Sequence, residues 1–359
     1  MTFTFGNDFK IQIFGESHGE GIGVVVEGCP PGLEIDEARI QNELNMRRPG
    51  TGALVSPRSE PDVFEIRSGV FRGKTTGAPI MMTIANTDVD SSIYEEIKDT
   101  PRPGHADYTA RVKYRGYNDY RGGGVFSGRL TAAMVMAGSV AQQLLKDRGV
   151  EVLAHVVQIG YEKVKRNLSD AEIRSNVYSN PVRCGEKGTA ERMQKVIEGV
   201  KSEGDSIGGV IECRINGIQA GVGEPIFDSV ESVISHAMFS IPGVKGIEFG
   251  SGFRGAALRG SENNDPPIIV DGKVAWNKND AGGVLGGITN GAPIVFRIGF
   301  KPTSTIQKDQ RTVDLAKMEE TFLRARGKHD PCIVPRAVPA VVGLGAIAIM
   351  NLLLKPQQF

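Results

Sequence analysis

The stretch Arg326-Gly327-Lys328-His329-Asp330-Pro331-Cys332-Ile333-Val334-Pro335-Arg336-Ala337-Val338-Pro339 packs cations, a carboxylate, an imidazole and three prolines into one span. Proline fixes its own φ and restricts the residue before it, so Asp330 and Arg336 are held rather than mobile. An Asp turn cap with solvated Arg and Lys would account for this stretch alone. Five more turns, bracketed by Gly or Pro, carry the same chemistry: Ser17/His18, Arg47/Arg48, Arg102/His105, Ser127/Arg129 and Lys301/Thr305. Guanidinium forks and hydroxyls suit phosphate and carboxylate, and an imidazole that titrates near neutrality can act as acid or base. Of five His, two lie in such turns, His329 adjoins Asp330, and His155 and His236 sit in strand and helix patterns as structural residues.

Bulk properties narrow the partners. The formal net charge is zero, which argues against a general nucleic-acid binder and makes any positive field local. Cys29, Cys184, Cys213 and Cys332 show neither a CxxC pair nor metal spacing, which points to reduced thiols in a cytoplasmic protein with no metal. The first residues lack the basic and apolar segments of a signal peptide. The apolar run from Ala337 to Leu354 contains Pro339, Gly343, Gly345 and Asn351 and reads as a buried core helix rather than a membrane span. The same helix is a candidate oligomer contact. There is no Walker A loop, GxSxG elbow, HExxH or dinucleotide-binding GxGxxG. The residues alone leave two readings: an enzyme for a small polyanion, or an anion-binding regulatory protein.

Strands over Ile11–Phe14 and Ile22–Gly28 flank the Ser17-His18 turn. Asp36 caps a helix through Arg48 that ends at Pro49-Gly50, with Arg39, Glu43 and Arg47 four apart on one face. Arg39–Glu43 is either an ion-pair ladder or part of an anion site. Gly122-Gly123-Gly124 leads into an apolar helix ending near Arg148, where free N–H groups converge. Strands are expected at Val63–Ile66, Pro79–Ala85, Glu151–Gly160, Ile207–Gly217, Ile268–Val270 and Ile294–Phe300, with polar surface helices between Asn167 and Glu203. Asp228 with Glu231 reads as the capping box of a helix through Phe239. Thr75-Thr76-Gly77-Ala78-Pro79-Ile80 recurs as Thr289-Asn290-Gly291-Ala292-Pro293-Ile294, each entering an apolar strand. No linker splits the chain, so residues 1–359 read as one domain of two interleaved halves.

These turns, in this order, resemble the chorismate synthase family. Gly15-Glu16-Ser17-His18-Gly19 with Gly28-Cys29-Pro30-Pro31-Gly32 is similar to its N-terminal signature. Arg48-Pro49-Gly50-Thr51, Ser59-Glu60-Pro61-Asp62, Arg102-Pro103-Gly104-His105-Ala106-Asp107, Asp119-Tyr120-Arg121-Gly122-Gly123-Gly124, Gly223-Glu224-Pro225, Lys301-Pro302-Thr303-Ser304 and the His329–Pro339 turn continue the match. The resemblance implies an α+β fold, a four-layer β/α/α/β sandwich with internal duplication, in a homotetramer. It implies 1,4-anti elimination of phosphate from 5-enolpyruvylshikimate 3-phosphate to give chorismate, with reduced FMN and no net redox change. His18 matches the residue that protonates the leaving phosphate, with Ser17 beside it. His105 matches the one placed to protonate reduced flavin, and Asp330 the one near flavin N5 that takes the substrate proton by way of the flavin. Arg47, Arg48, Arg129 and Arg336 match or neighbour the substrate's basic cluster, with Arg39 an addition. Ser127, Gly286, Lys301 and Thr305 match flavin-contacting positions, joined by Pro242-Gly243, Val125, Phe126, Pro302, Thr303, Ser304 and Lys328. An external flavin reductase is expected to reduce the cofactor, with NADPH as the other reductant and Arg47 its contact.

The chain also departs from the family pattern. Val125 and Phe126 stand where the family has Arg and Ser, Lys328 replaces an Arg and so loses its fork, an Arg beyond Arg48 is here Ala53, and the usual Glu after Val-Pro is missing near Val342-Gly343. These departures motivate a second reading, a flavin- or polyanion-binding paralogue without lyase activity.

Overall fold

The computed structural model describes residues 3–48, 61–87, 90–325 and 329–354. Alternation of apolar and polar residues builds two five-stranded antiparallel sheets. The first comprises β1 (Thr4–Phe5), β2 (Lys10–Gly15), β3 (Gly21–Glu27), β4 (Phe64–Ser68) and β5 (Ile80–Ala85), in the order β1-β2-β3-β5-β4. The second comprises β6 (Glu151–Ile159), β7 (Glu162–Lys163), β8 (Gly209–Asn216), β9 (Val244–Phe249) and β10 (Ile294–Phe300), in the order β7-β6-β8-β10-β9. Four main helices lie between them: α1 (Glu37–Arg47), α2 (Thr131–Lys146), α3 (Val230–Phe239) and α4 (Val334–Leu353). Helix α2 packs on β2, β3 and β5, and α4 on β6 and β8, giving the β/α/α/β layering.

The topology is duplicated. Along the chain β2-β3-α1-β4-β5-α2 is followed by β6-β8-α3-β9-β10-α4, and the sheet orders β2-β3-β5-β4 and β6-β8-β10-β9 correspond. The repeated hexapeptide ends on the first residue of β5 in one half and of β10 in the other, so the echo marks equivalent strands.

Helices α2 and α4 hold the halves together. A Cβ on Gly138 would lie 2.2 Å from Gly343 Cα, so the two backbones meet where neither residue has a side chain. Gly343 thus has a packing role. Nearly all of α4 is buried inside the protein, which bears out a core helix and removes it as an oligomer contact. The N-cap of α1 is Asp36, which accepts from the Arg39 N–H at 2.9 Å. The cap of α3 is Ser229, accepting from Ser232 N–H, rather than Asp228, which lies in a preceding 3-10 turn. A serine hydroxyl one residue later serves the same orphan N–H groups equally well. Two surface helices, Asp170–Asn176 and Lys187–Ser202, occupy the polar stretch after β7, and Pro267–Val270 forms an exposed hairpin with Lys273–Trp276.

Candidate active site

Three consecutive glycines organise the site. Gly122, Gly123 and Gly124 all have positive φ, at 59°, 84° and 53°, a run that side-chain-bearing residues adopt only with strain. A Cβ on Gly122 would lie 2.2 Å from His18 Cδ2 and 2.9 Å from Ser17 Oγ. A Cβ on Gly123 would lie 3.1 Å from His105 Cε1 and 3.3 Å from its Nε2. Adjacent Cα atoms are 3.8 Å apart, so the two imidazoles sit within about 12 Å of each other across bare backbone. The Ser17 N–H donates to Gly124 O at 3.3 Å, tying the β2–β3 turn to this run.

Each imidazole is held from behind. His18 Nδ1 is 2.9 Å from Ser91 Oγ, and its ring meets Tyr94 edge-on at 5.2 Å. His105 Nδ1 is 2.6 Å from Asp107 Oδ1, and Arg102 grips Asp107 from Nε and Nη2, each at 2.8 Å. Burial pushes the Asp107 carboxyl up, but Arg102 and His105 outweigh it and hold it well below the usual carboxylate range. Arg102 Nη1 also donates to Thr305 Oγ1 at 3.3 Å, linking this turn to the segment after β10.

That segment carries five of the twelve residues expected at the flavin, Lys301 to Thr305. Lys301 Nζ donates to Gly104 O and, at 3.2 Å, to Ser304 Oγ, which itself donates to Gly104 O at 2.7 Å. Burial and nearby Lys245 lower the Lys301 ammonium's affinity for its proton. Thr303 O accepts from Ser206 Oγ, whereas the buried Thr303 Oγ1 has no hydrogen-bond partner among the described residues. Pro302 is exposed beside them. Gly243 O accepts the Lys301 N–H at 2.9 Å, and a Cβ on Gly243 would press on Ile333 at 2.8 Å, so Pro242-Gly243 bridges this segment and the Asp330 turn.

A guanidinium cluster forms the remaining side. Asp62, 1% exposed, accepts from Arg47 Nη2 at 2.7 Å and from Arg129 Nη1. Burial raises the Asp62 carboxyl, but the two guanidiniums dominate and hold it below its ordinary value. Arg336 Nε donates to Arg47 O at 3.1 Å and its Nη1 to Asp330 Oδ2. Burial lowers Arg47 to about 10, opposed by Asp62 and aided by Arg336 and Arg129. Three guanidiniums thus share two carboxylates, leaving net positive charge. Arg129 Nε donates to Asn86 Oδ1, and Asn86 Nδ2 holds the carbonyls of Glu16 and Gly19 on either side of Ser17-His18, which joins the cluster to the histidines.

The structure brings most of the expected residues together, but not all. Arg39 pairs with Glu43 at 3.3 Å and Gln142 at 3.2 Å, lining a separate cavity of about 380 Å³ with Met46, Val152, Tyr178, Pro339 and Val342. Arg39 lies two helical turns before Arg47 on α1, roughly 12 Å away along the axis. Gly286 lies exposed in a tight hairpin, next to Gly287, which packs on Glu224, Pro225 and Ser229. Arg48 donates to Pro61 O at 3.3 Å on the rim. Ser127 Oγ accepts from the Arg129 N–H, Val125 is half-buried, and Phe126 is exposed with its ring tilted on Tyr114. Lys328 and Ala53 lie outside the described residues. Asp62, Asn86 and Asp107 are site residues to which sequence reasoning gave no role.

The constellation fits a flavin and a polyanion. Ser17 Oγ is wholly buried with no hydrogen-bond partner among the described residues, beside Gly122, where any Cβ would collide with it and with His18. No group of His, Cys, Asp and Glu among the described residues has the makings of a metal site. The family model for chorismate synthase matches residues 9–354. The chain is 53% identical to the chorismate synthase of Korarchaeum cryptofilum, covering 97% of this chain and 96% of that one. It is 50% identical to that of Pyrococcus abyssi, covering 97% of each. A chorismate synthase crystal structure superposes with a TM-score of 0.74 at 27% identity, over 98% of this chain and 92% of the other. A match along nearly the full length, together with this site, makes the protein an enzyme rather than a binding paralogue: the chain belongs to the chorismate synthase family of carbon–oxygen lyases.

Proposed function

We propose that this chain converts 5-enolpyruvylshikimate 3-phosphate to chorismate and phosphate by 1,4-anti elimination with FMN as the flavin. The observation that carries this reading is the placement of His18 and His105 against consecutive glycines, beside a guanidinium cluster of net positive charge. The carbon–oxygen bond to phosphate breaks, a proton leaves the ring carbon across the new diene, and no electrons are gained or lost overall. When bound, the reduced flavin supplies an electron-rich face that stabilises positive charge developing on the substrate.

The protein's own groups do the rest. Arg129, Arg336 and Arg48 bind the anionic substrate, and Arg47 sustains the local field from its buried pair with Asp62. His18 gives its proton to the departing phosphate from Nε2, since Nδ1 faces Ser91. Ser17 Oγ offers the neighbouring hydroxyl. His105 takes up a proton at Nε2 and returns it at the flavin side, and the Asp330 carboxylate, set by Arg336, is the group that ends with the substrate's proton. Lys301, Ser304, Thr303 and Thr305 would hold the flavin, with Pro242-Gly243, Ser127, Val125 and Phe126 around it. The enzyme works in the cytoplasm as a homotetramer and receives reduced flavin from an external reductase. NADPH is the alternative reductant, and Arg47, the contact expected for it, is buried against Asp62 as Arg129 is.

The test is anaerobic. The protein is mixed with chemically reduced FMN and the phosphorylated substrate, and chorismate absorbance and released phosphate are followed. Equal amounts of both products are expected. A folded protein that binds flavin and substrate yet releases neither product would overturn the reading.

A further inference from the structure

We propose that Asp107 is the positioning residue that fixes the tautomer and orientation of His105, with Arg102 as its clamp. This rests on the reading of His105 as the proton-holding group at the flavin side. The carboxylate Oδ1 lies 2.6 Å from His105 Nδ1. A carboxylate only accepts, so the Nδ1 proton points at Asp107 and Nε2 is the ring nitrogen left to accept, 3.4 Å from Arg102 Nη2. The Nε2 edge is the one that faces the bare backbone of Gly123, where a Cβ would come within 3.3 Å.

Asp107 cannot turn away from its task. Arg102 holds both of its oxygens, with Nε on Oδ2 and Nη2 on Oδ1 at 2.8 Å each, and the Arg102 backbone N–H adds a third bond to Oδ2 at 3.0 Å. The Arg102 side chain is 4% exposed, seated between the Tyr94 ring at 5.7 Å and Thr305 Oγ1 at 3.3 Å. Fork-on-fork pairing of this kind fixes geometry as well as charge. Arg102 also offsets the charge of Asp107. The same logic governs the buried carboxylate of serine-protease triads, where the isosteric amide preserves geometry and presents the wrong tautomer.

Asp107→Asn discriminates. Two Arg102 donors, Nε and the backbone N–H, meet Oδ2 and one, Nη2, meets Oδ1, so the new amide keeps its oxygen at the Oδ2 position, gives up the Nη2 bond and turns its NH₂ to His105 Nδ1. Nδ1 must then accept, and the proton moves to Nε2. The expected result is a fall in kcat of ~10²-fold or more, with KM for the phosphorylated substrate within about 3-fold, because no substrate-binding group is touched. The ¹⁵N resonances of His105 in the folded protein should exchange their protonated and unprotonated positions between wild type and variant. A kcat within about 3-fold of wild type, or unchanged tautomer signals, would overturn the proposal. His105→Ala measured alongside separates the two readings: near-normal turnover there removes the role of His105, while the tautomer signals still report on Asp107. If Asp107→Asn does not fold, Arg102→Lys removes the fork and keeps the charge, and should lower kcat by about 10-fold at unchanged KM. Unchanged kcat in that variant would equally refute the clamp.

Discussion

Removing Asp62 should expose what the guanidinium cluster costs the fold. Arg47 and Arg129, each no more than 4% exposed at the side chain, share this one carboxylate. Truncating one partner of a buried ion pair leaves an uncompensated charge and costs about 3–5 kcal/mol. Asp62→Ala should therefore destabilise by that amount, plus about 1 kcal/mol of strain because Asp62 has φ +48. Unfolding entropy of about 2.1 cal/mol/K per residue over this chain converts 3–5 kcal/mol into a Tm loss of roughly 4–7 °C. Asp62→Asn tolerates the positive φ and keeps the size, so it isolates the charge. The Asp62 carboxyl is depressed in the folded state, so its stabilisation is complete above the ordinary value of 3.8 and is lost as pH falls through the lower folded value. The Tm gap between wild type and Asp62→Asn should thus stay constant from pH 7 to 5. Thermal denaturation in a buffer without multivalent anions measures this, with a parallel series in added phosphate. Phosphate should raise the Tm of the variant more than that of wild type, since the orphaned guanidiniums gain a partner. A Tm loss under about 1 °C in Asp62→Ala, or a gap that changes between pH 7 and 5, would refute the reasoning.

Gly122→Ala places a methyl 2.2 Å from His18 Cδ2 at φ +59, so turnover should fall ~10²-fold while the melting point moves by only a few degrees; normal steady-state turnover would show that His18 need not stay where it is. Gly138→Ala gains about 1 kcal/mol of helix propensity but sets a methyl 2.2 Å from Gly343 Cα, and overpacking of about 1–3 kcal/mol or more wins; a rise in urea midpoint would contradict the backbone contact between α2 and α4. Glu43→Gln should behave oppositely. Burial raises the Glu43 carboxyl against the pull of Gln142 and Arg39, so wild type loses stability as pH climbs past 4.5, and the variant should match or exceed it by up to about 1 kcal/mol at pH 7. A loss of several kcal/mol on chemical denaturation would mean that Arg39 depends on Glu43.

What the sequence disclosed was local. The Asp36 cap, the Gly122–Gly124 entry to α2 and the rigid Asp330–Arg336 turn follow from near neighbours, and each stands in the structure as residue type and spacing dictate. The hexapeptide echo was legible because duplication preserved the turn into β5 and β10, even where the flanking sequence diverged. What stayed hidden needed contacts distant in the chain. Asp62 meets partners 15 and 67 residues away, and no spacing rule connects them. Arg39 stayed open for the converse reason: four-residue spacing looks the same whether a helix face meets an anion or a neighbouring Glu, and only the packing of α1 against α2, through Gln142, favours the ion pair.

Asp107 falls between these cases, since it lies two residues from His105 and was in plain view. Its role depends on Arg102, whose fork converts a turn carboxylate into a fixed hydrogen-bond acceptor. The same economy recurs across the site: Asn86 sets the Ser17-His18 turn, Arg336 sets Asp330, and Arg102 sets Asp107. Each group with a proposed proton role is thus braced by a residue that makes no proton transfer itself. The substitutions at Val125 and Phe126 leave all three braces untouched. They change the wall of the site and not the aim of its acids and bases, so they should alter flavin affinity before they alter the elimination.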